Sequence, residues 1–201
     1  MKKLLHIFLF LNLSFLFSCG SSPETHYYLI EFPISIESPL TAKYPITLAL
    51  ERFQAVPLYE DDRIIYRESK YEVKFYNYRR WVSPPTKIVT EKFLEQLKIS
   101  GLFKNVVRYP YASQANYLLR GTVKAFEEWD EKEKWFGKVV LEISLEKLEN
   151  HELIWQGVLS KTTPAEKRHP REIVEALSVS LQACIDEFLK IIDLELGKIS
   201  R

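Results

Sequence analysis

The chain reads as a single α+β domain, a mostly antiparallel sheet with two main helices packed on one face. Three observations carry that expectation. Val139, Leu141, Ile143 and Leu145 alternate with Lys138, Val140, Glu142, Ser144 and Glu146, the period-2 pattern of a strand with one buried face. Two other segments repeat apolar residues every three or four positions, as amphipathic helices do. A sheet with one wet face and helices on the other should be largely antiparallel, because parallel sheets are normally covered on both faces.

Each element follows from local pattern. His26 to Phe32 reads as a first strand closed by Pro33, and Ile34 to Lys43 as a Pro- and Ser-bearing loop. Ile46, Leu48 and Leu50 alternate with Thr47, Ala49 and Glu51, which gives a second strand. After the loop Val56 to Asp62, the runs Arg63 to Glu68 and Tyr71 to Tyr76 form a hairpin. Ser83 is placed to cap a helix by accepting a free backbone N–H, with Pro84 in the first turn, where it sacrifices no helical bond. Ile88, Val89, Phe93, Leu94 and Leu97 make its apolar stripe, and Gly101 supplies the left-handed stop. A short strand, Phe103 to Tyr109, precedes a three-stranded meander of Tyr117 to Phe126, Lys138 to Leu148 and Leu153 to Ser160. The second helix begins near Pro170. Its stripe of Ile173, Leu177, Leu181, Cys184, Phe188 and Ile191, widened by Val174, Ile185, Leu189 and Ile192, suits a helix lying on a sheet rather than a coiled-coil seam.

Ahead of this domain stands an export signal. Lys2 and Lys3 are followed by an apolar run, Leu4 to Phe17, shorter than the roughly 20 residues a spanning helix needs. The run ends in Leu16-Phe17-Ser18-Cys19-Gly20, which resembles the bacterial lipobox: an apolar residue, a small residue, then the cysteine whose sulfur takes diacylglycerol. Residues 1–18 are expected to be removed as a lipoprotein signal peptide, leaving 19–25 as a lipidated tether and 26–201 as the domain. Gly20 and Ser21 stand where a retention aspartate would be, so an outer-membrane address facing the periplasm is expected.

Composition excludes several classes. With 28 Lys and Arg against 27 Asp and Glu the charge is nearly balanced, so no nucleic-acid footprint is expected. Lipidation of Cys19 leaves only Cys184 as a thiol, so no disulfide is expected within one chain. His26, His151 and His169 lack metal-ligand spacing, and the chain has neither a Gly-rich phosphate loop nor a nucleophile elbow. Cys184 lies on the apolar helix stripe, which favours a buried inert thiol over a nucleophile. The cluster Glu127, Glu128, Asp130, Glu131 and Glu133, with Lys132 and Lys134 interleaved, reads as a solvated hairpin tip rather than a cation site. The expectation is a protein that is no enzyme and holds neither cofactor nor metal.

The segment Tyr76-Asn77-Tyr78-Arg79-Arg80-Trp81 carries the residue types that concentrate in protein–protein contacts. The competing reading is a strand end whose rings cover the core edge. The loop Pro57-Leu58-Tyr59 faces the same choice, and Arg63 and Arg67 would share a strand face.

These residues resemble a known family. Val56-Pro57-Leu58-Tyr59, Asp62-Arg63-Ile64-Ile65-Tyr66-Arg67, then Tyr78 and Arg80-Trp81 before Pro84 are similar to the signature region of the ABC-type transport auxiliary lipoproteins. Ala115 to Gly121 resembles the family's later strand, whereas Glu60-Asp61 departs from its usual loop. The resemblance implies a partner of MCE-type transport systems: an MCE-domain protein with its ABC permease and ATPase, carrying phospholipid or another apolar molecule between membranes. It implies a docking or assembly subunit, a homo-oligomer held to the membrane through Cys19, with Tyr59, Arg63, Arg67, Tyr78, Arg80 and Trp81 as candidate contacts. Three rival readings stand beside it: a lipoprotein regulator of a cell-wall synthesis enzyme, a periplasmic hydrolase and a lone lipid-binding chaperone.

Overall fold

A computed structural model describes residues 23–32, 41–110 and 115–199. The expected signal peptide, Cys19 and most of the loop after Pro33 lie outside the described residues. Chain order is β1 (His26–Tyr28), β2 (Tyr44–Leu50), β3 (Gln54–Ala55), a 3-10 turn (Pro57–Tyr59), β4 (Arg63–Arg67), β5 (Lys74–Trp81), α1 (Pro85–Ile99), β6 (Phe103–Arg108), β7 (Tyr117–Glu131), β8 (Lys134–Lys147), β9 (Glu152–Ala165) and α2 (Pro170–Ile199).

All nine strands join one sheet, with β7 as its spine. β8 lies antiparallel along one edge of β7, from Tyr117↔Lys147 to Glu131↔Lys134, and β9 lies antiparallel along β8. Three strands share the other edge of β7 in succession, all parallel to it: β2 at Leu48↔Tyr117, β3 at Gln54↔Thr122 and β4 at Tyr66↔Glu128. β6 extends the sheet beside β2, while β5 and then β1 extend it beside β4. The long ladders are therefore antiparallel, as expected, and the parallel ones are short. Alternation reports which face a side chain takes but not the direction of a neighbouring strand, so the sequence pattern gave no sign of the parallel ladders.

Both helices lie on the same side of the sheet. α2 packs on β8 and β9, α1 packs on β6 and β7, and the helices touch. Phe93 of α1 stacks between Phe53 and Phe188, with ring centroids 4.8 and 5.8 Å away. Helix and sheet approach closely at Gly137 of β8. A Cβ there would sit 2.4 Å from the Leu177 backbone nitrogen and 2.6 Å from the Ala176 carbonyl carbon. The lack of a side chain lets Ser180 donate a 2.8 Å hydrogen bond to the Gly137 carbonyl.

Several expected boundaries move for physical reasons. α1 starts at Pro85, not Pro84, and its N-cap is Pro84 rather than Ser83. A residue preceding proline is excluded from helical angles, and Pro84 is accordingly extended at φ −54°, ψ 148°. Gly101 has φ 70°, the left-handed stop expected of it. The hairpin of β4 and β5 forms, but β5 begins at Lys74, leaving Tyr71 in the turn at 96% exposure. β1 ends at Tyr28, yet Ile30 and Phe32 beyond it are still buried against the core. The meander strands outrun their expected ends because β7 and β8 continue to a tight turn at Lys132 and Glu133, both with positive φ.

Candidate functional site

The site builds outward from adjacent residues of β7. In a strand, neighbours point to opposite faces, and here Glu127 and Glu128 are each only 1% exposed. A buried carboxyl group is costly unless it is paired and hydrogen-bonded, and both are. On the face away from the helices, the Tyr59 hydroxyl donates to Glu127 Oε2 at 2.5 Å and Arg67 Nη1 lies 3.7 Å from Oε1. Trp129 is on the same face, with Arg67 and Lys138 stacked over its ring at 5.5 and 4.6 Å. Burial, then the bond to Glu127, pushes the Tyr59 hydroxyl pKa well above the ordinary tyrosine value, so it stays a donor.

On the helix face the Tyr76 hydroxyl donates to Glu128 Oε2 at 2.7 Å. Arg168, from the connection between β9 and α2, enters this cluster. Its guanidinium lies 3.4 Å from Glu128, 2.7 Å from Asp130 and 3.3 Å from Glu68. Lys74 pairs with Glu68 at 2.7 Å. Burial, then the neighbouring Glu128, pushes the Asp130 carboxyl up to about 7. The Arg168–Asp130 contact is close but poorly aligned, so neither Asp130 oxygen has a hydrogen-bond donor among the described residues.

The acidic cluster is therefore not a solvated hairpin tip throughout. Glu131 and Glu133 are exposed as expected, but Glu127, Glu128 and Asp130 fold inward because β4, the 57–62 loop and Arg168 cover them. The described residues hold no group of three or more His, Cys, Asp or Glu arranged for a metal ion. Cys184 is buried on the core side of α2, and burial pushes its thiol up to about 12.

The six candidate contact residues divide. Tyr59 and Trp81 are 2% and 1% exposed. Tyr59 is spent on Glu127, and Trp81 packs edge-on against Phe126 at 5.2 Å, so neither is available as a surface contact. That corrects the sequence expectation: for these two rings the core-edge reading holds. Tyr78 is 44% exposed. Arg63 lies over the Phe75 ring at 4.0 Å and pairs with Asp61, and Arg80 pairs with Asp62 at 3.1 Å. Register joins Arg63 to Arg80, so these two basic residues are neighbours on the outer face. Arg67, itself half-buried, belongs instead with the buried Glu127. Glu128, Asp130, Tyr76 and Arg168 were missed as a structural unit. The tyrosines and carboxylates lie far apart in the chain, so no local pattern pairs them, and nothing in the chain around Arg168 signals its role.

Comparison with known families decides the class. The profile of the ABC-type transport auxiliary lipoprotein component matches residues 28–187. The chain belongs to that family. The match runs from β1 into α2 and so takes in both carboxyl clusters and the Arg63–Arg80 face. Among solved structures, the chain is similar to a Xanthomonas campestris protein of the DUF330 family, at 15% identity and TM-score 0.76, covering 87% of this chain and 99% of that one. It is also similar to an uncharacterised protein at 15% identity and TM-score 0.67, covering 85% and 99%. At these identities the likeness concerns the fold. A search of the curated proteins found no match. As a member of this family the chain is a transport auxiliary component with an envelope association, and no helix among the described residues is long and apolar enough to cross a membrane.

Proposed function

We propose that the protein is the lipid-anchored periplasmic auxiliary subunit of an MCE-type ABC transport system, docking the lipid conduit at the outer membrane without catalysing a reaction itself. The observation that carries the reading is the family match, which spans the domain and assigns it to ABC transport. Cys19 supplies the lipid anchor, and the body works as a homo-oligomer beside an MCE-domain protein and its permease and ATPase. The transported material is phospholipid or another apolar molecule.

The docking contacts are the solvent-facing members of the candidate set, Arg63, Tyr78 and Arg80. They sit on β4 and β5, with Arg63 and Arg80 paired to Asp61 and Asp62 at the surface, and tyrosine and arginine are among the residue types that concentrate in protein contacts. The test is co-purification from membranes in mild detergent, with bound proteins and lipids identified. Recovery of an MCE-domain protein, reduced by Tyr78→Ala combined with Arg80→Ala, is expected. Recovery of a cell-wall synthase with no MCE-domain protein would overturn the reading. Unchanged recovery with the double variant would remove these residues from the contact while leaving the docking role.

A further inference from the structure

We propose that the edge of the sheet at β1, together with Val82 and the neighbouring face of α2, is a membrane-contact surface that seats on the phospholipid headgroup layer. The proposal rests on the reading of Cys19 as the lipid anchor and specifies how the body meets the bilayer.

Four apolar side chains are exposed where the chain enters the fold. Tyr27 is 65% exposed, Leu29 50% and Val82 60%, and Val179 on α2 is 48% exposed. Tyr27, Leu29 and Val82 follow one another along the sheet edge, and Leu29 and Val179 share one groove. β1 pairs with β5 at Tyr27↔Arg80 and Tyr28↔Trp81, and the Val82 N–H donates to the Tyr28 carbonyl, so Val82 continues that pairing beside Leu29. Leu29 also lines a surface groove of about 400 Å³ with Val174 and Val179 of α2. The patch thus runs from the sheet edge onto the helix. Its buried neighbours Ile30 and Trp81, at 3% and 1% exposure, fix the backbone that presents it.

The length of the tether identifies the occupant. Only residues 20–25 separate Cys19 from His26, and an extended chain spans at most roughly 3.5 Å per residue. Tyr27 is therefore held within about 30 Å of the anchored sulfur, where the bilayer surface is always present at high effective concentration. Chemistry agrees. Tyrosine with aliphatic neighbours suits the boundary between headgroups and acyl chains. The adjacent Arg63 and Arg80 pair with Asp61 and Asp62, and Arg79 of the edge and Arg171 of the groove are offset by Glu31 and Glu175 of the groove, so the surface carries little net positive charge. Seating should depend on apolar burial and be nearly insensitive to salt, unlike a polybasic lipid-binding segment.

The experiment couples the mature chain, residues 19–201, through Cys19 to a maleimide phospholipid in phosphatidylethanolamine–phosphatidylglycerol vesicles, at about one protein per vesicle. Cys184 is fully buried and does not compete. Amide hydrogen exchange is compared with the same chain capped by a soluble maleimide. At least roughly tenfold slower exchange in residues 26–32 and 80–83 on vesicles is expected, with other strands unchanged. The triple variant Tyr27→Ser, Leu29→Ser and Val82→Ser, all at surface positions, should abolish that protection while keeping the core protected. Equal exchange on vesicles and in solution would overturn the proposal. So would protection that appears without vesicles as protein concentration rises, since that marks a contact between copies. Because coupling imposes the tether chemically, failure here is distinct from failure of native acylation, which the mass of the Cys19 peptide from membranes reports separately.

Discussion

Replacing Tyr59 by phenylalanine removes one oxygen and tests whether the buried Glu127 pair holds the outer face together. The ring would still fill its site, since Tyr59 is 2% exposed and the change adds no volume. What is lost is the 2.5 Å donor to Glu127 Oε2, whose residue is 1% exposed. Water cannot easily replace it there. Hydrogen bonds to charged groups contribute about 1.5–3 kcal/mol, and stranding a buried acceptor costs toward the upper end. We therefore expect about 2–3 kcal/mol of destabilisation. Arg67, 3.7 Å away on the other oxygen, offsets part of the loss but does not replace the bond.

Urea unfolding of the mature chain measures this directly. With a slope near ~2 kcal/mol/M, the midpoint should fall by about 1 M with the slope unchanged. The partner variant Glu127→Gln and the double variant complete a cycle, in which an interaction energy above about 1 kcal/mol is expected. A Tyr59→Phe chain within about 0.5 kcal/mol of the parent would refute the argument, because it would mean that the carboxyl group is solvated or finds another donor.

Three further outcomes follow from the packing. Gly137→Ala drives a methyl group to within 2.4 Å of the α2 backbone, and since a backbone cannot rotate away it should cost about 3 kcal/mol in the same assay, the upper end for overpacking. Asp130→Asn should flatten the stability profile against pH: the folded carboxyl sits near 7 against 3.8 when free, so the folded state holds this proton more tightly. Asp130 therefore weakens the fold progressively as pH rises from about 4 to about 7, and the asparagine variant should gain most relative to the parent at pH 8, as urea unfolding at pH 5 and 8 would measure. Cys184, with its thiol pushed up to about 12, should react with an aromatic disulfide reagent in a Cys19→Ser chain only as denaturant unfolds it. Fast labelling without denaturant would show that α2 lifts from the sheet.

Much of this fold is legible in the chain because its signals are local. The alternation through Val139–Leu145 and the stripe from Ile173 to Ile192 report burial on one face, and most of these residues are buried, with Ile191 only half-buried. Gly101 reports its own left-handed turn. What stays hidden is pairing between distant segments. Nothing in Arg63–Arg67 indicates that it lies parallel to β7, and nothing near Arg168 indicates that it reaches Glu128 and Asp130. The candidate site suffered most from this. Its residue types are those that concentrate in protein contacts, but Trp81 and Tyr59 sit opposite Phe126 and Glu127, and only those long-range neighbours make them core.

The hidden pairings also account for why carboxyl groups are buried at all in a transport auxiliary subunit. β4 meets β7 over a short ladder, Tyr66↔Glu128 and Arg67↔Trp129. Apolar contacts alone specify so short a register weakly, and a slip of one residue would send every side chain to the wrong face. The adjacent carboxyl groups remove that freedom. Glu127 accepts partners only from the outer face, through Tyr59 and Arg67, and Glu128 only from the helix face, through Tyr76 and Arg168. A slipped β4 would move Arg67 away from Glu127, leaving a buried charge whose partner is lost, a change that costs about 3–5 kcal/mol. Register is thus set by electrostatics where the ladder is too short to set it. Arg63 on β4 and Tyr78 and Arg80 on β5 inherit that register, so the spacing of the proposed docking contacts is fixed by two acids buried beneath the surface.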